Sequence, residues 1–94
     1  MNSADRASDM TTSQLGELAL RCRRHIVKMI HAAGAGHPGG SLSAIDIIAA
    51  LYGNQLRFDV NNPDWADRDR FIMSKGHASP AVYSILFEMG FITE

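Results

Sequence analysis

The sequence has a single cysteine, Cys22, among its 94 residues. A lone thiol cannot close an internal disulfide, so this is no cystine-stapled scaffold, and a reducing, cytoplasmic setting is expected. No apolar run approaches the roughly 20 residues needed to cross a bilayer. The polar stretch Met1–Met10 lacks the apolar core of a secretory signal. Charge of either sign is scarce in excess: the formal net charge is −1. Neither nucleic acid nor an anionic membrane surface is therefore an expected partner. There is no Walker loop, no G-x-G-x-x-G, no Cys-x-x-Cys and no triad-like set. What remains is one small domain, and a domain under about 100 residues buries only a modest share of its surface. Residues 1–10 read as a flexible leader, and residues 11–94 as the folded part.

That part opens with Thr11-Thr12-Ser13-Gln14, a capping-box pattern. Leu15, Leu18, Ala19, Cys22, Ile26, Met29, Ile30 and Ala33 follow at helical spacing and make one apolar stripe. Gly34 is the expected stop. A second capping-box pattern, Ser43-Ala44-Ile45-Asp46, predicts a short apolar helix to about Asn54, buried between other elements. Asn61-Asn62-Pro63-Asp64 reads as a turn. Asp64 to Arg70 alternates in sign, as a solvated or salt-bridged loop does. Phe71-Ile72-Met73 is the best strand candidate. Ser79-Pro80 predicts a last helix, ended by Gly90. One strand cannot satisfy its own ladder. The order helix, helix, strand, helix fits the opening of an α/β domain whose other strands come from elsewhere.

Two glycine-rich corners carry the candidate chemistry. In Gly36-His37-Pro38-Gly39-Gly40-Ser41, Pro38 restricts the backbone of His37 and so aims its imidazole. Gly39 and Gly40 leave room for a ligand, and Ser41 precedes a helix whose N–H groups can face an anion. In Ser74-Lys75-Gly76-His77-Ala78-Ser79, Lys75 and His77 follow the strand candidate and open a helix, a place where phosphates bind in open α/β sheets. The same residues also suit a glycine-rich connector with a surface histidine and a β–α turn with a solvated lysine. His25 and His31, six residues apart on one helix, do not share a face and make an unpromising metal pair.

Ala35-Gly36-His37-Pro38-Gly39-Gly40-Ser41, Asn62-Pro63-Asp64-Trp65 and Asp67-Arg68-Asp69-Arg70-Phe71-Ile72-Met73-Ser74-Lys75-Gly76-His77-Ala78 together resemble the N-terminal part of transketolase. The resemblance covers residues 14–94 and looks most like the bacterial form split into two genes. It implies an α/β chain: the N-terminal portion of a thiamine diphosphate-binding fold, ordered helix-helix-strand-helix, with an incomplete parallel sheet. It implies two-carbon ketol transfer between sugar phosphates with thiamine diphosphate and magnesium or calcium. By resemblance His37 and His77 are catalytic, His37 on substrate hydroxyls and His77 on the cofactor diphosphate or reacting groups. Gly76, Lys75 and Ser41 would join His77 around the cofactor. The family's metal-holding Gly-Asp-Gly…Asn segment and its pyrimidine-binding domain are not among these residues. Metal ligands are thus expected outside the chain, the chain is expected to be inactive alone, and its partners are the remaining transketolase parts in a dimeric assembly. Two non-catalytic readings stand beside this one. One is an interaction module that docks on an intact partner through an exposed stripe of Leu15, Leu18, Cys22 and Ile26. The other is a stand-alone phosphate-binding module at the helix starts near Ser41 and Ser79.

Overall fold

The computed structural model describes residues 8–34, 38–74 and 79–93. Its first helix, α1 (Thr12–Ala33), begins as the capping box requires. The Gln14 N–H donates to Thr11 Oγ1 at 3.2 Å, and the Thr11 N–H donates to Gln14 Oε1 at 2.8 Å. Two donors that the helix leaves orphaned are thereby satisfied. The helix ends at Gly34, whose φ of 71° lies in the left-handed region that a side chain disfavours. The stripe faces inward: Leu18, Ala19, Cys22 and Ile26 are buried, while Arg24 and Lys28 lie outside. This corrects the docking expectation. Three of its four stripe residues are core, because two further helices of the same chain already cover them.

The second helix, α2 (Pro38–Ala50), starts five residues before Ser43. The expected box at Ser43 and Asp46 does not form. Proline suits a first helical turn, where no N–H is needed, so the helix begins there. Ser43 is then interior, and its hydroxyl donates back to the Gly40 carbonyl at 3.0 Å. Asp46 instead accepts from Arg23 on α1 at 2.7 Å. Beyond Ala50 the chain widens into a π-helical turn, Leu51–Gln55, closed by the Leu56 N–H on the Leu51 carbonyl at 2.7 Å. Gly53 in that turn is buried against α1, and a Cβ there would collide with Leu15 Cδ2. Met10 adds to this contact: its N–H donates to the Gly53 carbonyl at 3.0 Å, and its own carbonyl accepts from Asn54 at 2.8 Å. The helix is less enclosed than its composition suggests. Ile45, Ile48 and Ala49 are buried, but Ile47 is 66% exposed.

Residues 56–70 form a turn-rich loop held at its neck by Arg57 and Asp69. The Arg57 N–H donates to Asp69 Oδ2 at 2.7 Å, its guanidinium reaches Oδ1 at 2.9 Å, and the Asp69 N–H returns to the Arg57 carbonyl at 2.8 Å. Side-chain and backbone hydrogen bonds from Arg57 hold the Asp69 carboxyl below its ordinary range. The alternating charges thus serve a salt-bridged loop, as the sequence suggests.

The strand expected at Phe71–Met73 is not realised: no strand occurs among the described residues. A strand exists by pairing, and no backbone pairing to this segment occurs among the described residues. The third helix, α3 (Ser79–Glu88), ends where Gly90 takes a φ of 89°. The Gly90 N–H donates to the Phe87 carbonyl and the Phe91 N–H to the Leu86 carbonyl, at 3.1 and 2.9 Å, a Schellman closure.

The three helices pack pairwise around one core. Ile26, Ile45 and Ile85, one from each helix, are wholly buried at the junction. Burying each such side chain contributes about 1.5–3 kcal/mol. A polar seam also joins α1 to α3. Glu88 accepts from Arg21 Nε at 2.7 Å through Oε1 and meets His25 Nε2 at 2.6 Å through Oε2. The Phe87 ring stands edge-on to His25, with centroids 4.8 Å apart.

Candidate functional site

Both glycine-rich corners lead straight into helices of this core. The described part of the first corner, Pro38–Ser41, is already the first turn of α2, which corrects the expectation of a loop through Ser41 with the helix after it; α3 begins at Ser79. Because α2 and α3 pack on each other and on α1, the starts of both helices are tied to one rigid unit. His37, Gly36, Lys75, Gly76 and His77 lie outside the described residues. Of the expected site residues, Ser41 is the one the structure places. It is wholly buried in the first turns of α2, and its hydroxyl has no hydrogen-bond partner among the described residues. An unpaired buried hydroxyl carries a desolvation cost. Two residues before it, the Cβ position of Gly39 has no atom within 4 Å, which leaves the helix start open.

Two cavities among the described residues lie away from Ser41. The larger, about 340 Å³, sits between the 56–70 loop and the end of α3, with Tyr52, Phe58, Phe71, Leu86 and Phe91 on its walls. A second, about 220 Å³, opens between α1 and α3 beside His25, Met29, Tyr83 and Phe87. Neither is lined by Ser41, and only the larger comes near a corner, through Phe71 and Ile72 just before the second one. The larger cavity also has Asp59, Arg68, Asp69 and Arg70 in its lining, beside the aromatic walls.

Among the described residues, no group of three or more His, Cys, Asp or Glu is placed to hold a metal ion. His25 is engaged with Glu88, whereas His31 is exposed. Burial pushes the Glu88 carboxyl up, but hydrogen bonds from Arg21 and His25 outweigh it and hold the group below its ordinary range. Burial pushes the Cys22 thiol up, with Ser84 beside it acting the other way, so Cys22 is a core atom rather than a nucleophile. Sequence reasoning did not find the Arg21, His25 and Glu88 seam. Arg21 and His25 are one helical turn apart, a signal for a shared partner, but the partner lies 63 residues beyond His25.

Comparison with known proteins bears on the corners directly. Residues 16–94 match the family described as transketolase, thiamine diphosphate binding domain, and this stretch includes both corners. The chain is 42% identical over 93 residues to a transketolase-like protein 2 of Bos taurus, covering 97% of the chain and 15% of that protein. It is 40% identical over 75 residues to a transketolase of Rhodobacter capsulatus, covering 80% of the chain and 11% of the relative. It is 44% identical over 69 residues to the 6-deoxy-6-sulfo-D-fructose transketolase subunit SqwG of a Clostridium species, covering 73% of the chain and 25% of that subunit. The chain thus spans a quarter or less of the length of these relatives. The chain belongs to the transketolase family and corresponds to the N-terminal portion of its thiamine diphosphate-binding domain.

Proposed function

We propose that the chain is an N-terminal segment or subunit of a transketolase, that it supplies the substrate-side and diphosphate-side loops for two-carbon ketol transfer between sugar phosphates, and that it is inactive alone. The family match across both corners carries this reading. The split-subunit form is favoured by SqwG, a relative itself named a transketolase subunit. The missing strands of an incomplete parallel sheet, the metal ligands for magnesium or calcium and the pyrimidine-binding domain would come from the remaining parts of a dimeric cytoplasmic assembly.

The residues present fit one edge of a phosphate-bearing cofactor and not its metal. The start of α2 is open at Gly39, the Ser41 hydroxyl is orphaned, and the described residues offer no metal-holding cluster. When bound, thiamine diphosphate supplies the carbanion stabilisation that C–C cleavage needs. The chain supplies placement and proton handling. His37 would hydrogen-bond a substrate hydroxyl and carry its proton, a task suited to an imidazole near neutral pH. His77, Lys75, Gly76 and Ser41 would meet the anionic end of the cofactor, helped by the N–H groups at the helix starts.

The test is reconstitution. Mixed with chains carrying the metal-binding segment and the pyrimidine-binding domain, this chain restores thiamine diphosphate-dependent ketol transfer. The double variant His37→Ala, His77→Ala lowers kcat/KM by about 10²–10⁴. Normal turnover by a folded assembly carrying both substitutions would refute the assigned roles.

A further inference from the structure

The cavity of about 340 Å³ between the 56–70 loop and the end of α3 has two unlike kinds of lining. Tyr52, Phe58, Phe71 and Phe91 supply a continuous aromatic wall. Between ring centroids, Tyr52 lies 5.5 Å from Phe58 and 6.1 Å from Phe71, and Phe58 lies 5.3 Å from Phe91. These are the spacings of tilted and edge-on pairs, so the rings hold one another in place. Burial pushes the Tyr52 phenol up, which keeps this wall uncharged at neutral pH. The rest of the lining includes Asp59, Arg68, Asp69 and Arg70. Asp69 is matched by Arg57, and their contacts close the neck of the loop that carries both arginines. Arg68 donates to the Trp65 carbonyl at 2.8 Å, and Arg70 to the Ala66 carbonyl at 3.3 Å. A carbonyl orients a guanidinium without neutralising it, and most of the N–H donors remain for another acceptor. Neither arginine meets a carboxylate among the described residues. Asp59 accepts from the Asn61 N–H at 2.9 Å. With Asp69 matched, two cations stand against one anion in the lining, which favours an anionic ligand. Guanidinium forks take carboxylate and phosphate alike. The volume lies at the small end of the roughly 300–1,000 Å³ range of ligand pockets, which suits one substituted ring.

We propose that this cavity binds a small flat ring bearing one carboxylate or phosphate, with the ring against Tyr52, Phe58 and Phe91 and the anionic group on Arg68 and Arg70. The site contains no residue assigned above to substrate or cofactor. The proposal stands whether or not the chain works in ketol transfer.

The probes are benzoate and phenyl phosphate, titrated into the chain and followed by NMR of its amides and arginine side chains. Shifts centre on Phe58, Asp59, Arg68, Arg70 and Phe71, with a Kd of about 1 mM or tighter for at least one probe. The tighter probe tells carboxylate from phosphate. Acetate and inorganic phosphate lack the ring, and benzyl alcohol lacks the charge. Each binds at least about tenfold more weakly. Arg70 is exposed, so Arg70→Gln leaves melting unchanged and lowers affinity by about threefold or more. Adding Arg68→Gln takes the loss to about tenfold or more. No shifts with either probe, shifts centred on Tyr83 and Phe87 instead, equal binding of the controls, or full affinity in Arg70→Gln would each overturn the proposal. Displacement of the probe by thiamine diphosphate would also overturn it, because the cavity would then belong to the cofactor site. So would loss of binding when the remaining transketolase parts are added, because the cavity would be a packing face that they cover.

Discussion

At the scale of single residues, two positions give opposite expectations from one physical argument. Gly34 closes α1 at φ 71° with open space around its Cβ position. Alanine there meets no neighbour and is strained by the backbone alone, so Gly34→Ala should destabilise by about 1–2 kcal/mol in urea unfolding. Ser41 presents the reverse case. Its hydroxyl is buried and unpaired among the described residues, so Ser41→Ala should stabilise the isolated chain by about 1 kcal/mol. In a reconstituted assembly the same change should weaken cofactor binding, measured by calorimetry, if the hydroxyl finds its partner there. Gly34 was legible from its type and its place after the stripe. The burial of Ser41 was not, because its solvent exposure depends on α1 and α3 covering it.

Among the elements, the seam between α1 and α3 is the informative contact. Glu88 is 13% exposed at its side chain and engages both Arg21 and His25. Its folded carboxyl lies below the ordinary range, so at acid pH the unfolded chain binds the extra proton. The contribution of Glu88 is therefore complete above the unfolded carboxylate range and is lost as pH falls through the lower folded value. Stability should rise with pH across that acid window, and Glu88→Gln should flatten the rise. At neutral pH the same variant should cost about 1 kcal/mol by urea unfolding. The helices themselves were legible: the capping box at Thr11, the stripe from Leu18 to Ile26 and the stop at Gly90 are local signals that the structure repeats. The start of α2 was not, because a proline and a serine box compete five residues apart and the box lost. The π-helical turn at Leu51–Gln55 was also missed, since it depends on how closely Gly53 can approach Leu15 across the core.

For the whole molecule, one junction carries the fold. Ile26 is wholly buried where the three helices meet, and Ile26→Ala should cost about 2–5 kcal/mol. For a chain this small that is a large part of any stability it has, so thermal melting should become broad or vanish. The same view explains the exposed apolar residues. Ile47 on α2, Ile72 between the 56–70 loop and α3, and Tyr83 on α3 are 66%, 82% and 55% exposed, as expected of a unit that meets further layers in a larger assembly.

Local order in the chain, meaning caps, stripes, stops and the two glycine-rich corners, followed from the sequence by itself, because each depends on neighbours within a few residues. Family membership followed from the same residues, because the motifs recur in order. The tertiary structure decided what those signals face. It turned the proposed docking stripe into core, buried Ser41, joined Glu88 to α1 and left Phe71–Ser74 without backbone pairing among the described residues. These outcomes depend on contacts between residues far apart in the chain, and no short window of sequence contains both partners.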